Sequence, residues 1–353
     1  MMRFIIEKRT TKSKYSVFIV PLVSFAISLL LGAIVLAASK ANPFAAYKAM
    51  FEGSFGNIRR IQYTLREAMP LLMCGLAVGI AFKLKFWNIG AEGQYVSGAI
   101  GFTWVVQFWT FLPPVLLLPV GLLMGIIAGG LWAGVPGTLK AQWGVDETLT
   151  TLMLNYVAIG YAEYLYIDHW KAPFGNMGTP KFPDAAILPS VWGRVHAGVF
   201  FALALVVILW FILYKTRWGF ELNMIGKNPK AARYQGVSIK KNIIMAMLFS
   251  GAIAGLAGAI HTSAVAQKLT TGVNGNYGFT GIIIAWMGGL NPFGSIIVAI
   301  VMAALSTGAG QLQIALKLPE AMGAVLQGLV LLPLLAGSLF NEYHLRVIKK
   351  GAE

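Results

Sequence analysis

Asn88, Glu92 and Gln94 stand in one short string, Asn88-Ile89-Gly90-Ala91-Glu92-Gly93-Gln94, which follows Lys83 and Lys85 and leads into an apolar run. A carboxylate placed beside hydrocarbon costs about 3 kcal/mol on insertion scales, so it persists only where it faces protein, water or a polar solute. The small neighbours let backbones approach and can break a helix, which frees N–H and C=O groups to bind a polar solute. Two readings are open for Glu92: it lines a solute path, or it locks helices together. A second string, Asn274-Gly275-Asn276-Tyr277-Gly278-Phe279-Thr280-Gly281, offers neutral donors, acceptors and aromatic faces. That set suits a nucleoside, which needs a stacking surface for the base and hydrogen bonds for the ribose. Its alternative is a glycine-rich turn with an interfacial tyrosine. The candidate path residues are therefore Asn88, Glu92, Gln94, Asn274, Asn276 and Tyr277.

A third segment carries helix punctuation. In the string from Gly226 to Gly236, Asn228 suits an N-cap, Pro229 the first helical position and Gly236 the end. A capped short helix between two spans is a docking element, with Gly226, Asn228, Ala231, Ala232, Arg233 and Gly236 as its residues. The alternative is a solvated loop.

Catalytic signatures are missing. There is no G-x-x-x-x-G-K-[ST] phosphate loop, no H-E-x-x-H, and one cysteine, Cys74, in an apolar run. His169, His196, His261 and His344 are scattered, and Asp168-His169 beside Trp170 reads as a wet interfacial pair rather than part of a metal site. No metal, no cofactor and no catalysis by this chain are expected.

The elements that must position these strings are membrane helices. Of 353 residues, 57% are hydrophobic and 12% charged, against about 25% charged in soluble domains. With about 20 apolar residues needed per crossing, the candidate spans are 16–38, 64–82, 88–110, 114–134, 148–168, 198–214, 243–264, 278–290, 293–311 and 321–340. The net charge of +15 sits in short segments between apolar runs, which argues against nucleic-acid binding. With both termini inside, 18 of the 28 Lys and Arg residues are cytoplasmic, as positive-inside sorting expects. Residues 215–242 then form a cytoplasmic loop, and 169–197, with Trp170, Trp192 and four prolines, an outer one. The whole chain reads as one all-α integral membrane domain of about ten helices. Gly121, Gly125 and Gly129 share a helix face, as do Gly75 with Gly79 and Gly251 with Gly255, which predicts close helix packing. Gly75-Leu76-Ala77 with Gly93-Gln94-Tyr95 is echoed by Gly255-Leu256-Ala257 with Gly275-Asn276-Tyr277, so a 5+5 inverted repeat is expected.

The chain resembles the permease subunits of ABC importers in the branched-chain amino acid and ribose superfamily, nearest its nucleoside and simple-sugar branch. The resemblance rests on Phe86-Trp87-Asn88 through Gln94, Asp146-Glu147-Thr148-Leu149 with Met153-Leu154-Asn155-Tyr156, the Gly226–Gly236 segment, and Gly281 to Gly294. Trp87 stands where relatives often have Phe. The resemblance implies a cytoplasmic ATP-binding subunit, a second and different permease, and an extracytoplasmic solute-binding lipoprotein. It also implies a plasma-membrane location and a coupling role for Asn228–Gly236. Nucleosides, ribose-like sugars and riboflavin all fit as solutes. The rivals are an ion-coupled transporter, for which Glu92 and Glu163 are the available carboxylates, and a channel with Glu92 in a ring.

Overall fold

The structure, a computed structural model, describes residues 2–8, 16–173, 177–273, 275–319 and 321–349. It divides into two compact units, residues 1–60 with 304–353, and residues 61–303.

In the first unit, β1 (Met2–Lys8) pairs antiparallel with β4 (Tyr343–Lys349), so residues 2–8 and 343–349 lie side by side. Helix α1 (Ser16–Ala38) is followed by α2 (Pro43–Phe55). Asn42 caps α2 by accepting from Phe44 and Ala45 N–H groups at 3.0 and 3.3 Å, with Pro43 in the first turn. The two helices bend by 114° at the break. Leu36, Ala46 and Met50 are buried with Leu312, Leu318 and Leu326, bringing α1 and α2 against the end of α12 (Pro292–Leu316) and the start of α13 (Ala321–Glu342).

The second unit runs through α3 (Ile58–Lys83), α4 (Ala91–Phe108), α5 (Pro114–Trp143) and α6 (Glu147–Tyr164). Two short strands, β2 (Ser190–Trp192) and β3 (Val195–His196), form a hairpin before α7 (Gly198–Lys215). Then come α8 (Arg217–Lys227), α9 (Pro229–Tyr234), α10 (Ile239–His261) and α11 (Tyr277–Met287). Helices α6 and α10 each end in a π-helical turn, Leu165–His169 and Thr262–Ala266.

Of the ten expected crossings, the described residues bear out five or six. Five helices are long and apolar enough to cross alone, α3, α5, α7, α10 with its π turn, and α12, and the bent α1–α2 pair makes a sixth if it is one span. Helix α4 begins with Glu92 and Gln94 at its buried N-terminus. Helix α11 has 11 residues, about 16 Å at 1.5 Å per residue. Helix α2 was not expected, because its Lys48 and Glu52 dilute the apolar run.

Glycines decide how closely the central helices approach. A Cβ on Gly98 of α4 would overlap the Gly255 backbone of α10, and one on Gly129 of α5 would overlap the Gly251 carbonyl oxygen. Without a hydrophobic drive between helices in lipid, such backbone contact supplies the packing energy. The pair Gly75 and Gly79 departs from expectation: Gly75 is pressed against Ile284, but nothing lies within 4 Å of a Cβ at Gly79.

Candidate functional site

Both polar strings break their helices. After α3 the chain is non-helical from Leu84 to Gly90, and it is irregular again before α11, where Asn276 takes φ +56°. Asn274 lies outside the described residues. The two breaks meet on Glu92. Its side chain is fully buried, Oε1 accepts from the Asn276 N–H at 3.0 Å, and Oε2 accepts from the Gly278 N–H at 2.6 Å. A carboxylate at a helix N-terminus satisfies donors that have no partner in the helix and opposes the positive end of the dipole. Gly278 is required by this approach, since a Cβ there would strike the Ala91–Glu92 backbone.

Asn88 and Gln94 form a second buried layer beneath it. Asn88 Nδ2 donates to Gln94 Oε1 at 3.2 Å and to Ser250 Oγ at 3.0 Å, while Gln94 Nε2 donates back to Asn88 Oδ1 at 3.0 Å. The Ser250 hydroxyl donates to the Ala77 carbonyl at 2.7 Å, tying α10 to α3. Helix α6 supports the break from the other side. Asn155 Oδ1 accepts from Gly93 N–H at 2.8 Å, Asn155 Nδ2 donates to the Ile89 carbonyl at 2.8 Å, and Thr151 Oγ1 accepts from Ile89 N–H at 3.2 Å. Buried backbone groups must be paired, and here side chains from neighbouring helices do what a continuous helix would have done.

Tyr277 closes the arrangement toward the N-terminal half of α3. Its hydroxyl donates to Glu67 Oε2 at 2.6 Å, and Arg66 pairs with Glu67 Oε1 at 3.1 Å. The Tyr95 and Tyr277 rings lie 5.5 Å apart, and His261 stands 5.1 Å from Tyr277. Asn88, Glu92, Gln94, Asn276 and Tyr277 thus meet around one junction. Sequence reasoning passed over Glu67, although span 64–82 contains it, and over Thr151, Ser250 and His261. The stretch Asp146 to Tyr156 did carry Asn155, but nothing in its spacing shows which carbonyl it reaches. A cavity of about 500 Å3 between α4, α5 and α6 is lined by Trp104, Trp132, Tyr161 and Trp170 and by none of the residues at this junction. Trp87, half-exposed, packs on Phe82 and Trp286 at 5.3 and 5.8 Å between centroids.

The punctuated segment folds as its residues predict. Asn228 Oδ1 accepts from Ala231 N–H at 3.1 Å, Pro229 opens α9, and Gly236 at φ +78° ends it. Ala232 is buried; Arg233 and Tyr234 are exposed. Gly226 is buried at the end of α8, and a Cβ there would overlap the Lys83 carbonyl oxygen. The helix pair α8–α9 therefore abuts the point where α3 gives way to the Leu84–Gly90 break. No group of three His, Cys, Asp or Glu side chains able to hold a metal occurs among the described residues.

Residues 60–335 match the family described as branched-chain amino acid transport system, permease component. Over 96% of its length the chain is 34% identical to the guanosine ABC transporter permease protein NupP of Bacillus subtilis, covering 99% of that protein. It is 32% identical to the glucose ABC transporter permease protein TsgB13 of Haloferax volcanii, over 97% of this chain and 93% of that one. The nucleoside ABC transporter permease protein NupB of Lactococcus lactis is 30% identical over 82% of this chain and 83% of its own.

Proposed function

The chain belongs to the family of branched-chain amino acid transport system permease components, and from that premise we propose that it is the membrane-spanning subunit of an ATP-driven importer for nucleosides. The observation that carries the solute class is its 34% identity over nearly the full length of a guanosine permease. A sugar stands second, on the 32% identity to a glucose permease.

In this reading the chain sits in the plasma membrane with both termini cytoplasmic, which agrees with the pairing of β1 and β4. The two halves are a 5+5 inverted repeat. Supporting this, α3, a break and α4 are matched by α10, a break and α11, and the two breaks clasp on Glu92. In transporters built from inverted repeats, corresponding interrupted helices mark the solute site. The solute path therefore runs beside Asn88, Glu92, Gln94, Asn274, Asn276 and Tyr277, and a second, different permease completes it. A solute-binding lipoprotein docks on the outer loop 169–197. A separate ATP-binding subunit grips α9 through Asn228, Ala231, Ala232, Arg233 and Gly236. Closure of the ATPase pair moves α9 and α8; Gly226 presses on Lys83, and the Leu84–Gly90 break carries the movement to Asn88 and Glu92. The work of ATP hydrolysis thus reaches the path through packed backbone rather than through chemistry on this chain.

The direct test is ATP-dependent uptake of labelled guanosine by cells expressing the complete importer, with unlabelled nucleosides, ribose, glucose and riboflavin as competitors. Nucleosides are expected to compete and sugars not. Competition by sugars alone transfers the assignment to the second reading, and gradient-driven accumulation by vesicles holding only this chain ends both.

A prediction for α9 arises here. Asn228→Ala removes the N-cap, worth about 1 kcal/mol, and Gly236→Val forces a β-branched residue into the left-handed region, costing about 1–2 kcal/mol. Both are expected to leave the amount of protein in the membrane unchanged while uptake falls at least tenfold. Co-purification of the ATP-binding subunit reads the cause. Full retention of that subunit would assign α9 a role other than docking.

A further inference from the structure

Eight buried side-chain polar atoms lack a hydrogen-bond partner among the described residues, and five belong to residues linked to one another: His261 and its neighbour Thr262, Tyr95 with its ring 6.1 Å from that of His261, and His196, which lies within electrostatic reach of His261 and Arg66. Buried polar groups are paired in the great majority of cases, so such a concentration marks a hydrated or ligand-holding place. These residues belong to the hairpin, α4, the end of α10 and the N-terminal half of α3. A second observation coincides with it: the π-helical turn Thr262–Ala266 begins right after His261, and Gln267 follows at φ +54°. Single π turns inside α-helices concentrate at functional sites.

Hydrogen-bond donors fix which ring nitrogen carries each proton. The Gly198 N–H donates to His196 Nδ1 at 3.2 Å, so the neutral His196 ring holds its proton on Nε2, a donor with no acceptor. The Tyr277 hydroxyl donates its hydrogen bond to Glu67 at 2.6 Å, and its oxygen faces His261 Nε2 at 3.5 Å. The His261 proton is then on Nε2, which leaves Nδ1 an acceptor with no donor. One buried histidine thus ends in an unused donor and its neighbour in an unused acceptor, both rings about 5% exposed or less. Water makes two to four such bonds in protein interiors, and the Tyr95 and Thr262 hydroxyls are likewise buried without a partner.

We propose that His196 and His261 hold internal water between them, and that the chain His196, water, His261, Tyr277, Glu67 is a relay of positioning residues joining the hairpin to the N-terminus of α11. Tyr277 is the first residue of α11, and Gly278 beside it is held by Glu92. A displacement of the hairpin Ser190–His196 is therefore transmitted to the Glu92 clasp. The inference rests on the reading of loop 169–197 as the docking face of the solute-binding lipoprotein, and it supplies the route by which docking reaches the path. Contiguous hydrogen-bonded groups with two arrangements are the physical carriers of such coupling.

The relay has an acid limit. The charged and titratable groups within electrostatic reach of His196 are His261 from α10 and Arg66 and Glu67 from α3. Burial, then His261 and Arg66, hold its pKa down at about 4, against the opposing pull of Glu67. A histidine with a depressed pKa stabilises the fold fully above its ordinary value of about 6.5, and that stability is lost as pH falls toward 4. Protonation also removes Nδ1 as the acceptor for Gly198.

Two measurements on the purified permease test the relay. Amide exchange of the wild-type protein as pH is lowered is expected to show segments 190–196 and 276–281 losing protection together, with one midpoint between pH 4 and 6.5. Two separate midpoints overturn the coupling. In a double-mutant cycle, Tyr277→Phe removes one hydroxyl and His196→Gln removes the titrating ring. Tyr277→Phe is expected to speed exchange in the hairpin about tenfold, and the double variant to exchange within twofold of the faster single one. A hairpin unmoved by Tyr277→Phe, or rates that multiply in the double variant, overturn the proposal. Neither readout involves a solute, so their failure leaves the transport assignment standing. Failure of guanosine uptake in the complete importer leaves the relay standing.

Discussion

Glu92→Ala is expected to cost about 3–6 kcal/mol of stability and to clear most of the folded protein from the membrane. The carboxylate is fully buried and accepts two backbone N–H groups at the start of α11, and a hydrogen bond to a charged group contributes about 1.5–3 kcal/mol. Alanine leaves the buried Gly278 donor without an acceptor, removes the partner of the part-buried Asn276 N–H, and opens a void between α4 and α11. Glu92→Gln keeps one acceptor and turns an amide N–H2 toward the other donor, so an intermediate loss is expected. Thermal unfolding of the detergent-purified protein orders the three forms as Glu, then Gln, then Ala. If the alanine variant is as stable as wild type but transports with altered selectivity, Glu92 serves the solute rather than the clasp, and the open question left by the sequence closes in that direction.

The second large effect is steric. Gly98→Val is expected to destabilise by about 3 kcal/mol or more, the upper part of the range for overpacking. The atoms in the way are backbone atoms of Gly255 that cannot rotate aside. Helix α4 must then move off α10, taking Glu92 and Gln94 with it, so uptake should fall even in the fraction that folds. Gly79→Ala is the internal control: the space around it is open, and replacing glycine by alanine inside a helix gains about 0.5–1 kcal/mol. Melting curves of both variants decide the matter. Equal changes in the two melting curves would mean that close backbone approach at Gly98 has no part in the stability.

These contrasts show where legibility stopped. Gly75 with Gly79 and Gly251 with Gly255 have the same spacing, and spacing alone treats the pairs alike. Only the packed neighbours distinguish Gly79, which faces open space, from Gly255, which carries two helices. Span counting stopped for a related reason. Hydropathy sees each helix alone, whereas α4 and α11 are short or polar and depend on the helices that enclose them.

Much of the α9 segment was determined by the residues themselves. Asn228, Pro229 and Gly236 each act on backbone within a few positions, so their meaning is local, and α9 folds as they prescribe. The membrane class was determined in the same way, because apolar excess is a sum over the chain that needs no partner. The two helix breaks were also written locally, in glycine and asparagine. What they are for was settled only in three dimensions. Glu92 reaches residues 184 and 186 positions away, and Tyr277 reaches Glu67 across 210. His196 and His261, scattered along the chain, come within electrostatic reach of one another only once the hairpin lies beside the end of α10. Hydrogen bonds have a range of about 3 Å, and no pattern in a linear string fixes which distant groups come within it.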